Sequence, residues 1–140
     1  MIVIDTSALV AILRDEPEAG RLTARIGDEQ FGERWVSVAS YVETGAVLAG
    51  RDKTQPQSAI RLLDDLLADM GIELAILDVQ QARFALNARI EFGRGFGARA
   101  KLNFGDCFSY ALAKAKSAPL LYIGNDFDKT DIVSALKASR

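Results

Sequence analysis

The chain has 140 residues, 49% of them hydrophobic and 26% charged, with a net charge of −2. That length is enough for one domain with its own core, and the composition is that of ordinary soluble globular proteins. There is no histidine, and Cys107 is the only cysteine, which excludes intrachain disulfides, thiolate zinc clusters, histidine-based triads and nearly all zinc hydrolases. Carboxylates holding a hard cation are what remains for hydrolytic chemistry. The slight acidity argues against a broad nucleic-acid surface and leaves room for a local basic patch. No apolar run reaches the ~18 residues of a membrane span, and the N-terminus lacks a signal-peptide pattern, so a cytoplasmic protein is expected.

In chain order, Ile2 to Ile4 reads as a short buried strand, followed by a helix from Ser7 to Leu13 that stops before Asp15-Glu16-Pro17. A second helix is expected from Glu18 to about Ile26, a strand over "WVSV" (Trp35 to Val38), and a helix from about Tyr41 to Ala49. Pro56 opens an amphipathic helix with Ile60, Leu63, Leu66, Leu67 and Met70 at helical spacing, and Gly71 stops it. Glu73 to Leu77 is the third strand, and "VQQARFALNARI" a helix. "FGRGFGARAKLN" carries three glycines and three cations in twelve residues, the composition of a loop. "GDCFSYALAKAK" is again helical, "PLLYIG" the last strand, and "NDFDKTDIVSAL" a turn leading to a short terminal helix. Strands alternating with helices imply an α/β layer fold with a mainly parallel sheet.

Four acids fall where a strand ends or a helix begins: Asp5, Glu43, Asp106 and Asp126. Each has a purely structural explanation. Asp5 can cap the helix near Ser7, Glu43 can close a capping box with Ser40, Asp106 can complement the helix macrodipole, and Asp126 can stabilise a turn. In a parallel α/β fold every strand-to-helix junction lies on one side, so clustering there is partly automatic. It is also the side on which such folds bind ligands. Spacing alone therefore allows a metal site without establishing one.

"IVIDTSAL", "YVETGAVL", "LNFGDCFSYALAK" and "LLYIGNDFDKTDI", in this order and at this spacing, resemble the motifs of PIN-domain proteins, most closely the VapC-like toxin ribonucleases of bacteria. The similarity runs over almost the whole chain, which on that likeness is one PIN-like nuclease domain (1–140). The resemblance implies a three-layer α/β/α sandwich with a mainly parallel sheet, and four acids around Mg²⁺ or Mn²⁺. By motif these acids map onto Asp5, Glu43, Asp106 and Asp126, with Asp131 a candidate fifth. It further implies an RNA substrate, a homodimer and a cognate antitoxin. The alternatives within that resemblance are a PIN nuclease of RNA processing and a catalytically silent RNA-binding module.

On this reading Asp5 and Asp106 are the direct metal ligands, while Glu43 and Asp126 orient water or receive its proton, consistent with the few carboxylates Mg²⁺ ordinarily takes. The Thr6 and Ser7 hydroxyls are candidates to bond a carboxylate or phosphate, with Ser7 equally a plain helix cap, and Asn103 is a candidate to orient a neighbouring acid, with a turn-forming role as the alternative. Arg94, Arg99 and Lys101, with Phe96 among them, are candidates for tracking an RNA backbone and stacking a base; a solvated surface loop is the equal alternative. A haloacid-dehalogenase-like phosphatase would need a second Asp where Ser7 stands. A receiver domain would need a Lys after the last strand, and "PLLYIGND" has none.

Overall fold

The alternation of side chains along a strand means that a continuous apolar run must be covered on both faces, and Ile2, Val3 and Ile4 are all fully buried. The computed structural model describes residues 1–96 and 101–137. Its elements in chain order are β1 (Ile2–Ile4), α1 (Thr6–Leu13), α2 (Ala19–Gly27), β2 (Arg34–Ser37), α3 (Val38–Arg51), α4 (Pro56–Asp69), β3 (Glu73–Ala75), α5 (Val79–Phe92), α6 (Asp106–Lys116) and β4 (Leu120–Leu121). The four strands form one parallel sheet in the order β3-β2-β1-β4. The register sets Val3 opposite both Trp35 and Leu120, and Ile4 opposite Leu121.

Two cores lie on opposite faces. Val3 and Leu120 pack with Ala85 and Ala88 of α5 and with Tyr110, Ala111 and Leu112 of α6. Ile2, Ile4, Val36 and Leu121 pack with Leu9 of α1, Leu22 and Ile26 of α2, and Leu63 and Leu67 of α4. The result is the expected α/β/α sandwich. Pro56 occupies the first position of α4, where its missing N–H costs nothing, and Gly71 follows that helix at φ +59°.

The structure departs from expectation in three places. The helix α3 begins at Val38 rather than Tyr41, because the Ser37 hydroxyl caps it by accepting from the Ala39 N–H at 3.2 Å. The strands β3 and β4 are shorter than their apolar runs. Finally, no terminal helix forms among the described residues: Leu120 donates to the Val133 carbonyl at 2.9 Å and accepts from the Ala135 N–H at 2.8 Å, so "VSA" extends the sheet edge beside β4. Edge backbone groups need partners, and this segment supplies them.

Candidate active site

The parallel sheet brings the end of β1, the first turns of α3, the start of α6 and the turn after β4 to one side. Asp5 leaves β1 with its backbone N–H donating to the Leu121 carbonyl at 2.9 Å, so the sheet itself fixes the residue. It caps α1: Oδ2 accepts from the Ser7 N–H at 3.0 Å and from Ser7 Oγ at 2.7 Å. Its other oxygen accepts from Ser109 Oγ of α6 at 2.6 Å. Only 2% of Asp5 is exposed, a burial that these donors make tolerable for a carboxylate. Ser7 Oγ also accepts from the Ile123 N–H at 3.1 Å, tying the start of α1 to the chain leaving β4.

The early start of α3 decides the place of Glu43. With Ser37 as the cap, Ser40 lies one turn inside the helix, and the Ser40–Glu43 capping box does not form. Ser40 Oγ instead meets Ser109 Oγ at 3.0 Å, while its carbonyl accepts from Thr44 Oγ1 at 2.7 Å and Thr6 Oγ1 at 3.2 Å. Glu43, half-buried, rests on the backbone at Gly105: a Cβ there would collide with its carboxylate. Burial raises the Glu43 pKa, the Thr6 hydroxyl partly offsets this, and the Asp5 charge adds to it.

Asp106 makes a reciprocal pair with Asn103. Its backbone N–H donates to Asn103 Oδ1 at 2.8 Å, and its Oδ2 accepts from the Asn103 N–H at 3.0 Å. That box stabilises the turn into α6, and it favours the ionised form. Yet the Asp106 carboxyl is pushed up to about 7, first by burial and then by the charge of Asp5, with smaller contributions from Asp126 and Glu43. Among the described residues none of the ion pairs involves any of the four acids.

The donor chemistry suits a hard divalent cation: oxygen ligands only, carboxylates in excess. Among the described residues no group of three or more acidic or thiol side chains is arranged to encage an ion. Two carboxylates supplemented by water, the set Mg²⁺ ordinarily accepts, is what Asp5 and Asp106 offer. Cys107 takes no part; it is buried, its thiol is raised to about 11 by desolvation, and Sγ contacts the Asn103 carbonyl at 3.4 Å.

The other sequence candidates are distributed differently. Asp126 is exposed in the turn after β4. Asp131 binds Tyr110 Oη and Lys114 Nζ, each at 2.7 Å, which lowers its pKa despite desolvation. Arg94 and Lys101 are exposed; Arg99 lies outside the described residues. Phe96 has the Arg89 guanidinium 5.5 Å from its ring centre. Sequence reasoning missed Ser40, Thr44 and Ser109, the hydroxyls that link α1, α3 and α6. Their signal was present, since Ser109 stands three residues after Asp106 and Thr44 four after Ser40, which puts each pair on one helix face.

Residues 2–133 match the PIN domain family. Ribonuclease VapC28 of Mycobacterium tuberculosis is 42% identical over 134 residues, covering 96% of this chain and 97% of the relative. The chain belongs to the PIN-domain family, as a VapC-like ribonuclease. Ribonuclease VapC of Mycolicibacterium smegmatis is 45% identical, covering 94% of this chain and 98% of its own. Among solved structures, the sarcin-ricin-loop-cleaving toxin VapC20 of Mycobacterium tuberculosis superposes with a TM-score of 0.74 over 95% of this chain and 97% of its own. At 15% identity that likeness speaks to the fold.

Proposed function

We propose that this VapC-like PIN domain is a divalent-metal-dependent endoribonuclease acting as the toxin of a toxin–antitoxin pair. What supports the mechanism is the Ser109–Asp5 bond, which sets Asp5 beside the start of α6, together with the Asp106 carboxyl, raised to about 7 first by burial and then by the charges of Asp5, Asp126 and Glu43. Asp5 and Asp106 would hold Mg²⁺ or Mn²⁺, which when bound neutralises phosphate charge and acidifies water. Ser7 and Ser109 fix the Asp5 carboxylate, and Asn103 fixes Asp106, so the ligands are set before substrate arrives. Glu43 lies against Gly105, and with its raised pKa it suits the receipt of a proton at its carboxylate. The water oxygen bonds to phosphorus as the bond to the leaving ribose oxygen breaks, and that oxygen takes a proton from solvent. Asp126, exposed at the rim, is assigned to orienting water, and Asp131 to the Tyr110–Lys114 contact. Arg94, Arg99 and Lys101 are assigned to the RNA backbone.

The VapC relatives imply an antitoxin partner, and we assign this protein one, together with a homodimeric state and a cytoplasmic location. Among the described residues no helix is long and apolar enough to cross a membrane. The decisive experiment is RNA cleavage in Mg²⁺ or Mn²⁺ against EDTA, for wild type, Asp5→Asn and Asp106→Asn. Cleavage that needs the metal and is lost in both folded variants is expected. Undiminished cleavage by either variant, or in EDTA, would overturn the site.

A further inference from the structure

Beside Glu43 lies an open hollow of about 420 Å³, lined among others by Val42, Glu43, Asn103, Phe104 and Phe108. Phe104 is 70% exposed and Val42 65%. Single exposed apolar residues are unremarkable, but these two flank one hollow whose lining also includes Glu43 and Asn103. Glu43 belongs to both. Asn103, which holds Asp106 on one side, borders the hollow on the other. Phe108, half-buried against the core, meets Phe104 edge to face with ring centres 5.1 Å apart and planes at 88°. That contact anchors the Phe104 ring without covering it.

We infer that Phe104 is a stacking platform for a nucleobase of the RNA next to the scissile phosphate, with Val42 and Phe108 closing the hollow around it. The inference rests on the ribonuclease reading above. A phosphate at the acids carries its sugar and base outward. The hollow adjoining Glu43 and Asn103 is the apolar surface that such a base meets. Any base offers a π-face to an aromatic ring, and stacking of this kind is sequence-tolerant. The acids repel an unshielded phosphate backbone, so an apolar contact of this sort gives the substrate a hold that owes nothing to charge.

The test uses the intact protein with Phe104→Trp, Phe104→Ala and Phe104→Leu, all at an exposed position. In Mg²⁺, the emission of Phe104→Trp is expected to be quenched by a mixed-sequence single-stranded RNA and unaffected by an abasic sugar–phosphate of equal length. Wild type, whose one tryptophan is Trp35, should show neither change. Phe104→Ala and Phe104→Leu should lower kcat/KM for the RNA by roughly ten-fold, mainly through KM, with Phe104→Trp restoring it. Metal-induced stabilisation should be the same in all four proteins. Equal kcat/KM for wild type and Phe104→Ala, or equal quenching by the abasic strand, would overturn the proposal and leave the ribonuclease intact. So would dissociation of a wild-type dimer by Phe104→Ala, which would make the hollow a self-association face. A wild type that neither binds nor cleaves RNA would overturn both readings together.

Discussion

Ser109 Oγ donates to Asp5 Oδ1 at 2.6 Å, joining the second turn of α6 to the end of β1. Both groups are buried, so Ser109→Ala leaves a carboxylate oxygen short of a donor, at a cost of about 1–3 kcal/mol. Chemical denaturation should show that loss. The variant should also need more Mn²⁺ to reach half-maximal cleavage, because Asp5 is no longer held. Unchanged stability together with an unchanged metal requirement would reduce Ser109 to a bystander.

The Asp106 carboxyl yields a pH prediction with a definite sign. Its folded pKa of about 7 stands above the ordinary 3.8, so between those values the folded state binds the proton that the unfolded state has released. Metal-free protein should therefore lose stability as pH rises from about 4 to about 7, and little further from this group above that. Asp106→Asn keeps an acceptor for the Asn103 N–H and removes the charge. It should melt higher than wild type at neutral pH in EDTA, by about 1–3 kcal/mol, and be nearly level with it near pH 4. Wild type should gain from Mn²⁺ because the ion binds the folded state; the variant should gain less. Four independent caps predict the reverse order in EDTA, since a neutral side chain loses its interaction with the helix dipole.

Gly105 is where the Glu43 carboxylate meets the backbone entering α6. The residue has helical backbone angles, φ −65° and ψ −37°, so alanine is permitted there by conformation and excluded only by the carboxylate. Gly105→Ala should fold, displace Glu43, and lower kcat on the order of 10²-fold, as a misplacement of about 1 Å can. A circular dichroism spectrum like that of wild type, with full activity, would show that Glu43 has room to move without consequence.

The α/β layering was legible in the apolar run Ile2 to Ile4 and the helical spacing from Ile60 to Met70, while the three-layer sandwich was what the resemblance to PIN domains implied. The start of α3 was not. Val38 is β-branched and extends "WVSV" as a strand, whereas the Ser37 hydroxyl, by capping at Ala39, starts the helix three residues sooner than expected, at Val38. That shift moved Glu43 from a cap to the second turn, and Ser40 from a cap to a buried link. The edge role of Ser134 was hidden for a different reason. "TDIVSAL" mixes β-branched Thr130, Ile132 and Val133 with helix-favouring Ala135 and Leu136, and its place is decided by the backbone of Leu120 on the sheet edge. Local propensity carries no information about such a distant partner.

The basic loop separates phosphate contacts from a solvated surface. Arg94 and Lys101 are exposed, and among the described residues neither belongs to an ion pair. Binding of single-stranded RNA through phosphates releases counterions, and the slope of log K against log salt falls by about 0.7 for each cation engaged. Replacing Arg94, Arg99 and Lys101 together with alanine should therefore weaken binding at low salt and flatten that slope by about 2. The effect should be uniform across RNA sequences, because phosphate contacts carry no sequence information. Since Arg94 and Lys101 lie on the surface, their replacement should hardly change the melting temperature. An unaltered slope at unaltered stability would return the loop to solvent. A flattened slope accompanied by altered sequence preference would instead mean that at least one of the three cations reaches a base.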